Sequence, residues 1–571
     1  MEQHTCKRWE MPAINADLVR AIAHEWSLPR PIAMVLANRG VASDEMEMFL
    51  RPRLQHLLDP FKFPDMKAAV ERIWKAIKAG ERILVHGDYD ADGVTSTVLI
   101  TWVLEECGAL VDCFLPNRLE DGYGLTPESV ERARTDGYHL LITVDCGITS
   151  CEATQIAMDA GIDVIITDHH QPGEEIPNAL AVINPRLHPE LTFVQGLAGV
   201  GVAFKLCHGL IKYGRENSIG GLHIDLREGL DLVALGTVAD IVPLLGENRI
   251  LVRHGMKILS AQRRPGVRAL CDLVHLNDRI TPEDITYRLA PRLNAAGRMS
   301  DPDIALRLLR SRSIVDAYPL ADHLDRYNRE RQTFEEKAYM SARLQVDGVD
   351  IDERYSLIAK GSNWHRGVIG IVASRLTHEF HRPTIVLTID DDGSVHGSGR
   401  SVPGINLVDV LHGCSDFLIR YGGHPMATGL ALEIDALPEF ERAFEESVQI
   451  FCQRSFDFTP TITLEGDATF HEIDDYFFEG LTCLKPFGHS NQAPVFRFTQ
   501  VAPERVMAAG RDHSRGTLID KYGQTLSFIA FGRQPSSLPP PPWTIAAIPE
   551  INIYRGTANP QLQIVDIMQS T

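Results

Sequence analysis

Residues Arg82 to Gly93 read Arg-Ile-Leu-Val-His-Gly-Asp-Tyr-Asp-Ala-Asp-Gly, so a short apolar run ends in one histidine, His86, and three acids, Asp88, Asp90 and Asp92. Carboxylates this close repel one another and raise their own pKa values unless a cation neutralises them, so the residue types point to a metal. Asp88-x-Asp90-x-Asp92-Gly93 matches the first half of an EF-hand loop. The place of its closing bidentate glutamate is taken by Leu99, however, and Ile83, Leu84 and Val85 read as a strand where an EF-hand needs a helix. Calcium is thereby disfavoured. A solvated acidic turn is the plainer alternative, and it weakens because ligand-type residues recur at equivalent places downstream.

Those places define the elements that must carry the site. Leu140-Leu-Ile-Thr-Val144 is a second apolar run, ending in Asp145-Cys146-Gly147, and Val164-Ile-Ile-Thr167 is a third, ending in Asp168-His169-His170. Between them, Cys151 to Ala160 carries Ile156, Ala157 and Ala160 at helical spacing, with Gly161 as a stop. Continuous apolar strands alternating with helices predict a parallel sheet covered on both faces, and such sheets bind ligands at the carboxyl ends of their strands. Each candidate so far falls at that edge. A further acid, Asp240, follows the apolar stretch Asp231 to Ala239; alone it would be an ordinary helix-end aspartate.

Composition narrows the function class. A chain of 571 residues is too long for one core and predicts roughly three to five domains. The opening residues Met-Glu-Gln-His-Thr-Cys-Lys-Arg-Trp hold no apolar signal region and no later run reaches membrane-spanning length, so a cytoplasmic location is expected. Ten cysteines without a pairing pattern agree with a reducing compartment, and Cys146 reads as core packing. There is no His-Glu-x-x-His, no Walker A lysine and no Cys-x-x-Cys. Gly199-Val-Gly201 lacks the rest of a dinucleotide fingerprint and reads as close helix packing. The net charge of −20, from 56 basic and 76 acidic residues, disfavours general duplex binding. A narrow, locally basic channel for one strand is compatible with it and predicts an affinity that falls steeply with salt.

Together His86, Asp88, Asp90, Asp92, Asp145, Asp168-His169-His170 and Asp240 resemble the motif series of the DHH phosphoesterase superfamily. The likeness continues through Gly199-Val-Gly-Val-Ala-Phe-Lys205, Arg292-Leu-Asn-Ala-Ala-Gly-Arg298 and Gly422-Gly-His-Pro-Met-Ala-Thr-Gly429. Over nearly the whole sequence it is similar to the RecJ family of single-strand-specific exonucleases. The resemblance implies two Mn²⁺ or Mg²⁺ ions, with His86, Asp90 and Asp145 holding one, Asp92, Asp145, His169 and Asp240 the other, and Asp145 bridging. Imidazoles among carboxylates suit Mn²⁺ better than Mg²⁺. Asp88 and Asp168 are expected to orient ligands, and His170 to donate a proton or touch the scissile phosphate. Paired ions roughly 4 Å apart would activate a bridging water, so no protein nucleophile is required.

The same resemblance implies substrate contacts at Arg118, which can clamp a phosphate, at Tyr123, which can stack on a base, and at Arg298 near the metals. The plain alternatives are a surface arginine, a packed tyrosine and a helix-end arginine. From near Tyr355 a second α/β region resembles a DHHA1 domain, with a helix after Trp364 to Gly367 and a strand over Thr384 to Thr388. Gly397-Ser398-Gly-Arg400-Ser401 reads as a loop whose hydroxyls, amides and guanidinium suit a terminal phosphate, and Gly422-Gly-His424 would add an imidazole. A terminal-phosphate pocket fixed relative to paired metals gives an exonuclease its polarity, implied here as 5′ to 3′.

The expected fold is α/β. An N-terminal helical arm packing on the core spans 1–62, a parallel-sheet DHH domain 63–315, a connecting helix 316–347, a smaller α/β DHHA1-like domain 348–454 and a C-terminal OB-fold β-barrel 455–571. Interleaved charges from Pro319 to Leu344 predict the long connecting helix. Period-two runs at Thr461–Leu464, Val495–Phe498, Leu526–Phe531 and Gln561–Val565 predict the barrel, with Phe496, Phe498 and Phe528 as core and Arg511, Arg515 and Lys521 as phosphate contacts. Single-stranded DNA is the implied substrate, with a single-stranded-DNA-binding protein and a RecQ-type helicase as partners and a monomer as the working state.

The leading functional reading is a metal-dependent exonuclease releasing 5′-mononucleotides from single-stranded DNA in recombination and repair. A second is a DHH phosphodiesterase or phosphatase acting on short oligonucleotides, cyclic dinucleotides or pyrophosphate. A third, a replication scaffold that kept the fold without catalysis, predicts missing ligands, whereas each expected acid and histidine is present.

Overall fold

Strands made of unbroken β-branched and leucine runs need cover on both faces, and the alternation within each run decides which helices supply it. In the computed structural model, which describes residues 7–117, 124–219, 223–277, 279–348, 350–453, 455–554 and 557–570, five strands, the central ones of this kind and Leu110–Phe114 an exposed edge, form one parallel sheet. Their spatial order is Leu110–Phe114, Arg82–His86, Leu140–Val144, Asp163–Thr167 and Ala181–Ile183. Ile83, Val85, Leu140 and Ile142 point into one core with the helices Ala91–Glu106, Gly199–Glu216 and Leu230–Ala239. Leu84, Leu141, Val164 and Ile166 point into another with Val130 and Ala133 of Pro127–Thr135 and Ala153 and Ala157 of Cys151–Asp159. The register pairs His86 with Thr143 and Val144 with Thr167, so His86, Asp145 and Asp168 all leave the sheet at the same edge.

The helix Ile314–Val346 runs for 33 residues, with the Ser313 hydroxyl accepting from Val315 N–H at its start and Pro319 in its early turns. Ala317, Ala321 and Leu324 pack in the core of the first lobe, while Ala338 and Ala342 pack against Ile369, Val372 and Ala373 of the helix Arg366–Phe380. One helix thus contributes to both cores.

The second lobe holds a five-stranded sheet in the order Arg420–His424, Ala427–Glu433, Ser394–Arg400, Thr384–Ile389 and Leu357–Ser362. Here the glycine-rich loops expected from sequence are corrected. Ser398 and Arg400 lie on a strand paired to both neighbours, and Gly422 to His424 are the end of another. The glycines are there for space: a Cβ on Gly397 would fall 2.6 Å from Leu387 Cδ2, so the strand's inward face has no room for a side chain. Its outward face then displays His396, Ser398 and Arg400 together.

In the third unit the strands Phe496–Ala509, His513–Ile519, Thr525–Ala530, Thr557–Gln569 and Trp543–Tyr554 follow in order, and the first and last also pair, closing a barrel. Phe496, Phe498 and Phe528 fill it with Trp543. Two of these strands, His513–Ile519 and Trp543–Tyr554, escaped the sequence pattern because polar residues and Pro549 interrupt their alternation. Thr461–Thr463 is a strand outside the barrel, paired in parallel with Arg8–Glu10. The N-terminal arm divides: Val19, Ile32, Met34 and Leu50 share the barrel's core, and Leu54 to Phe61 pack on the first lobe. The expectation that the whole arm packs on the catalytic core is corrected accordingly, since the apolar faces of Ala16–Trp26 and Arg30–Asn38 find their partner in Phe470, Phe477 and Leu481. Among the described residues no helix is long and apolar enough to cross a membrane.

Candidate metal centre and the cleft it faces

Helix N-termini fix the acids. Asp90 caps Ala91–Glu106, its Oδ1 accepting from the N–H groups of Asp92 at 2.9 Å and Gly93 at 3.1 Å. Asp92, in the first turn of the same helix, accepts from Gly199 N–H at 2.7 Å and Val200 N–H at 2.9 Å, the first amides of the helix Gly199–Glu216. Two positive helix ends therefore converge on one carboxylate cluster. The close approach requires glycine: a Cβ on Gly199 would stand 2.6 Å from Asp145 Cγ, and one on Gly236 would stand 2.9 Å from Asp92 Oδ1. Asp145 turns off its strand with φ of 62°, a left-handed conformation that aspartate tolerates better than most residues, and its N–H donates to Thr167 O over 3.0 Å.

Histidine and carboxylate lone pairs meet at this point. His169 Nε2 lies 3.1 Å from Asp145 Oδ1, 3.6 Å from Asp240 Oδ2 and 4.0 Å from Asp92 Oδ2. Burial, then the charge of His170, push the His169 pKa down to about 3, so its imidazole is neutral and these are not ion pairs. Both His169 Nε2 and Asp145 Oδ1 are buried without a hydrogen bond. Potential ligand atoms of Asp92, His169 and Asp240 lie within 4.8 Å of one another, as do those of Asp88, Asp90 and Asp145, and those of Asp145, His169 and His170. Asp145 and His169 each belong to two of these sets, and of the two only the Asp145 carboxylate has a second oxygen with which to bridge. His86 is fully buried at the end of its strand, with Nδ1 3.9 Å from Cys146 Sγ, and lies outside the three sets.

The electrostatics fit a pair of divalent cations. Burial and then the charge of Asp90 push Asp92 up to about 7. Burial and then Asp92 push both Asp145 and Asp240 well above the usual carboxylate range. The repulsion within a donor set of neutral imidazole and crowded carboxylates is offset by protons or by bound cations, and divalent cations displace the protons. Asp88, expected to orient ligands, brings a carboxylate oxygen within 4.8 Å of those of Asp90 and Asp145.

Asp168 behaves as an orienting acid. One oxygen accepts from the N–H groups of His169 at 2.7 Å and His170 at 3.0 Å, and it meets His170 Nδ1 at 2.8 Å; the other accepts from Ile148 N–H at 2.9 Å. Burial works to lower the His170 pKa, but the Asp168 hydrogen bond and charge outweigh it and leave the imidazole raised and protonated more readily. Burial works to raise Asp168, and the His170 partner holds it below its ordinary value. The adjacent histidines thus divide into a neutral one facing the acids and one whose charged form Asp168 favours, set beside His424 of the second lobe. Three side chains that sequence reasoning passed over support this arrangement. Asn184 Nδ2 donates to His170 O at 2.9 Å, Arg186 Nε donates to His169 O at 2.6 Å, and Asn294 Oδ1 accepts from Ala91 N–H at 2.7 Å. Their signal was present: Asn184 and Arg186 directly follow another apolar run, Ala181-Val-Ile183.

The second lobe closes the other side. The His424 ring lies nearly parallel to that of His170, 14° apart in plane with centroids 6.4 Å apart. Arg298 ends the helix Ala290–Met299, and its Nη1 donates to Gly367 O at 3.2 Å, in the first turn of Arg366–Phe380. Arg400 Nη1 donates to Ser398 Oγ at 3.1 Å and to Gly399 O at 2.7 Å. Both Ser398 and Arg400 face Gly370 of the same helix, where a Cβ would come within 2.9 Å of Ser398 Oγ and 3.0 Å of Arg400 Nη2. Arg298 and Arg400 therefore flank one helix N-terminus, an arrangement that suits a phosphate. Arg118 and Tyr123 lie outside the described residues.

One lobe that gathers carboxylates and imidazoles at a parallel-sheet edge, and a second that sets a helix start flanked by two arginines beside it, together define a DHH phosphoesterase. Residues 82–237 match the model of the DHH family, N-terminal domain, residues 354–449 the DHHA1 domain and residues 464–566 the RecJ OB domain. The Bacillus subtilis (strain 168) protein named single-stranded-DNA-specific exonuclease RecJ is 35% identical, over 98% of this chain and 70% of its own. The Escherichia coli (strain K12) protein of the same name is 39% identical, over 74% of this chain and 75% of its own. A crystal structure of RecJ with Mn²⁺ from Thermus thermophilus superimposes with a TM-score of 0.84 at 30% identity, covering 99% of this chain and 80% of that one. The chain belongs to the RecJ family.

Proposed function

We propose that this protein is a two-metal-ion exonuclease that degrades single-stranded DNA from the 5′ end to 5′-mononucleotides. The observation that carries the reading is that the Asp145 carboxylate, which has two oxygens where the doubly shared His169 imidazole offers one lone pair, stands in both the Asp88/Asp90 set and the His169/His170 set. His86, Asp90, Asp92, Asp145, His169 and Asp240, with Asp88, would hold the ions, taken as Mn²⁺ or Mg²⁺ because RecJ from Thermus thermophilus has been crystallised with each. When bound, such a pair activates a water and stabilises charge on the leaving oxygen.

The chain's own residues do the rest. Asp168 favours the charged form of His170 and holds its ring beside His424, where it can hold a phosphate oxygen or give a proton to the leaving oxygen. His169 stays neutral, so its lone pair is available at Nε2. Ser398 and Arg400, set against Gly370 at the start of Arg366–Phe380, would receive the terminal phosphate, while Arg298 grips the same helix turn from the first lobe. A terminal phosphate bound on one lobe and a scissile phosphate bound on the other fix the distance between the chain end and the cut, which makes cleavage proceed from one end. The connecting helix, packed in both cores, keeps that distance constant.

Product analysis on 5′- and 3′-labelled single strands, with Mn²⁺ or with EDTA, tests the reading. Mononucleotides released from the 5′ end, lost with EDTA and lost in Asp145→Ala, are the expected result. Equal cleavage of 5′-phosphate and 5′-hydroxyl strands, or turnover confined to dinucleotides or pyrophosphate, would overturn it.

A further inference from the structure

Ile241 directly follows Asp240 and has a φ of 58°. Glycine takes this left-handed region freely and asparagine readily, whereas a β-branched side chain enters it only against strain. The position is the turn that ends Leu230–Ala239, where the Ile241 N–H donates to Val238 O over 3.3 Å, and at such a turn glycine carries no penalty. The chain nevertheless has isoleucine there, and 60% of it is exposed, so neither the backbone nor the core accounts for the side chain.

Its surroundings leave one role. Within the metal cluster Asp92, Asp145 and His169 are buried, while Asp90, His170 and Asp240 are partly exposed, so the cluster opens on the side where Asp240 stands. From Ile241 the chain passes through Pro243 to Leu244, whose N–H donates to His489 O at 2.9 Å next to the segment that leads into the barrel. Ile241 thus lies in the chain between Asp240 of the metal cluster and the turn that reaches His489. A strained, exposed aliphatic residue next to a cluster of acids and histidines, with Arg186 beside them, offers a contact that water and phosphate cannot use.

We propose that Ile241 is a substrate contact, an apolar prop against which an unpaired base packs on the barrel side of the scissile phosphate. The inference rests on the exonuclease reading above. An unpaired base presents an apolar face that stacking hides within a duplex, and a branched aliphatic makes no hydrogen-bonding demand, so the contact favours single strands without selecting sequence.

Ile241→Gly and Ile241→Ala separate contact from strain. The glycine variant should melt above the wild type, because its backbone is relaxed at this φ, and the alanine variant should not. Both should raise KM on a 5′-phosphorylated strand about tenfold, the loss of one buried aliphatic contact. On a strand whose leading nucleotides are abasic, wild type and variants should have the same KM. An unchanged KM in both variants, or an equal rise on normal and abasic strands, would overturn the proposal alone. Wild-type protein that leaves strands intact would overturn the exonuclease reading and this inference together.

Discussion

On the first-lobe side of the cleft, Asp92 and Asp168 are buried and their oxygens take backbone N–H groups from helix starts and turns, so the chain holds each acid in one place. On the second-lobe side, Ser398 and Arg400 stand on the outward face of a strand, half-buried, and His424 is exposed at a strand end. The first arrangement concentrates negative charge where water cannot screen it. The second leaves its cation and hydroxyl beside solvent. Stability and chemistry are therefore coupled through bound cations on one side and separable on the other, and four substitutions and one pH series test that difference.

The largest effect belongs to Asp145→Asn, which should cut strand hydrolysis by about 10³-fold or more, since it removes the group shared by two ligand sets. The same change should raise the melting temperature of the EDTA-treated protein, because a carboxylate that burial and Asp92 hold far above its ordinary pKa is replaced by a neutral amide. A lower melting temperature in EDTA would break the comparison. The pH dependence follows with its sign. Asp92 has a folded pKa of about 7, above its unfolded value, so the folded state binds the extra proton. Its stabilising contribution is complete below the unfolded pKa and is lost as pH rises through about 7. Metal-free protein should thus melt higher at pH 5 than at pH 8, and Mn²⁺ should reverse that order; thermal melts with and without EDTA read both.

Next in size is Asp168→Asn. The His170 imidazole would lose the partner that keeps its pKa raised, so the alkaline limb of the pH–rate profile should move to lower pH and kcat should fall about 10²-fold. An unchanged limb would mean that His170 carries no proton in the rate-limiting step.

Much of the first lobe could be read before any coordinates, because each ligand stands at the end of an apolar run and period and position survive in one dimension. His86, Asp145 and Asp168 needed only the rule that parallel sheets present ligands at their carboxyl edges. Donor sharing at Asp88 was not legible, since which carboxylate reaches a common point depends on side-chain direction. Nor were the strands under Ser398 and Gly422: glycine in sequence signals a turn, and only packing against Leu387 and Leu430 shows that Gly397 serves a strand. The N-terminal arm was misplaced for a related reason, because an amphipathic helix announces that it will bury a face and not which domain will cover it.

The two smallest effects sharpen the comparison from its separable side. Arg400→Ala removes a guanidinium that faces Gly370 and should raise KM for 5′-phosphorylated strands about thirtyfold, with melting temperature in EDTA and in Mn²⁺ both unchanged. Gly370→Ala asks for less. Its added methyl would meet two side-chain ends, Ser398 Oγ at 2.9 Å and Arg400 Nη2 at 3.0 Å, and both can swing away, so the fold should absorb it. What the methyl displaces is the Arg400 guanidinium, which Ser398 and Gly399 hold beside the helix and which would receive the terminal phosphate. A rise in KM of about threefold to tenfold for 5′-phosphate strands, and none for 5′-hydroxyl strands, is the expected outcome. If both substrates weaken alike, the helix start serves the strand as a whole, and end recognition must lie elsewhere in the cleft.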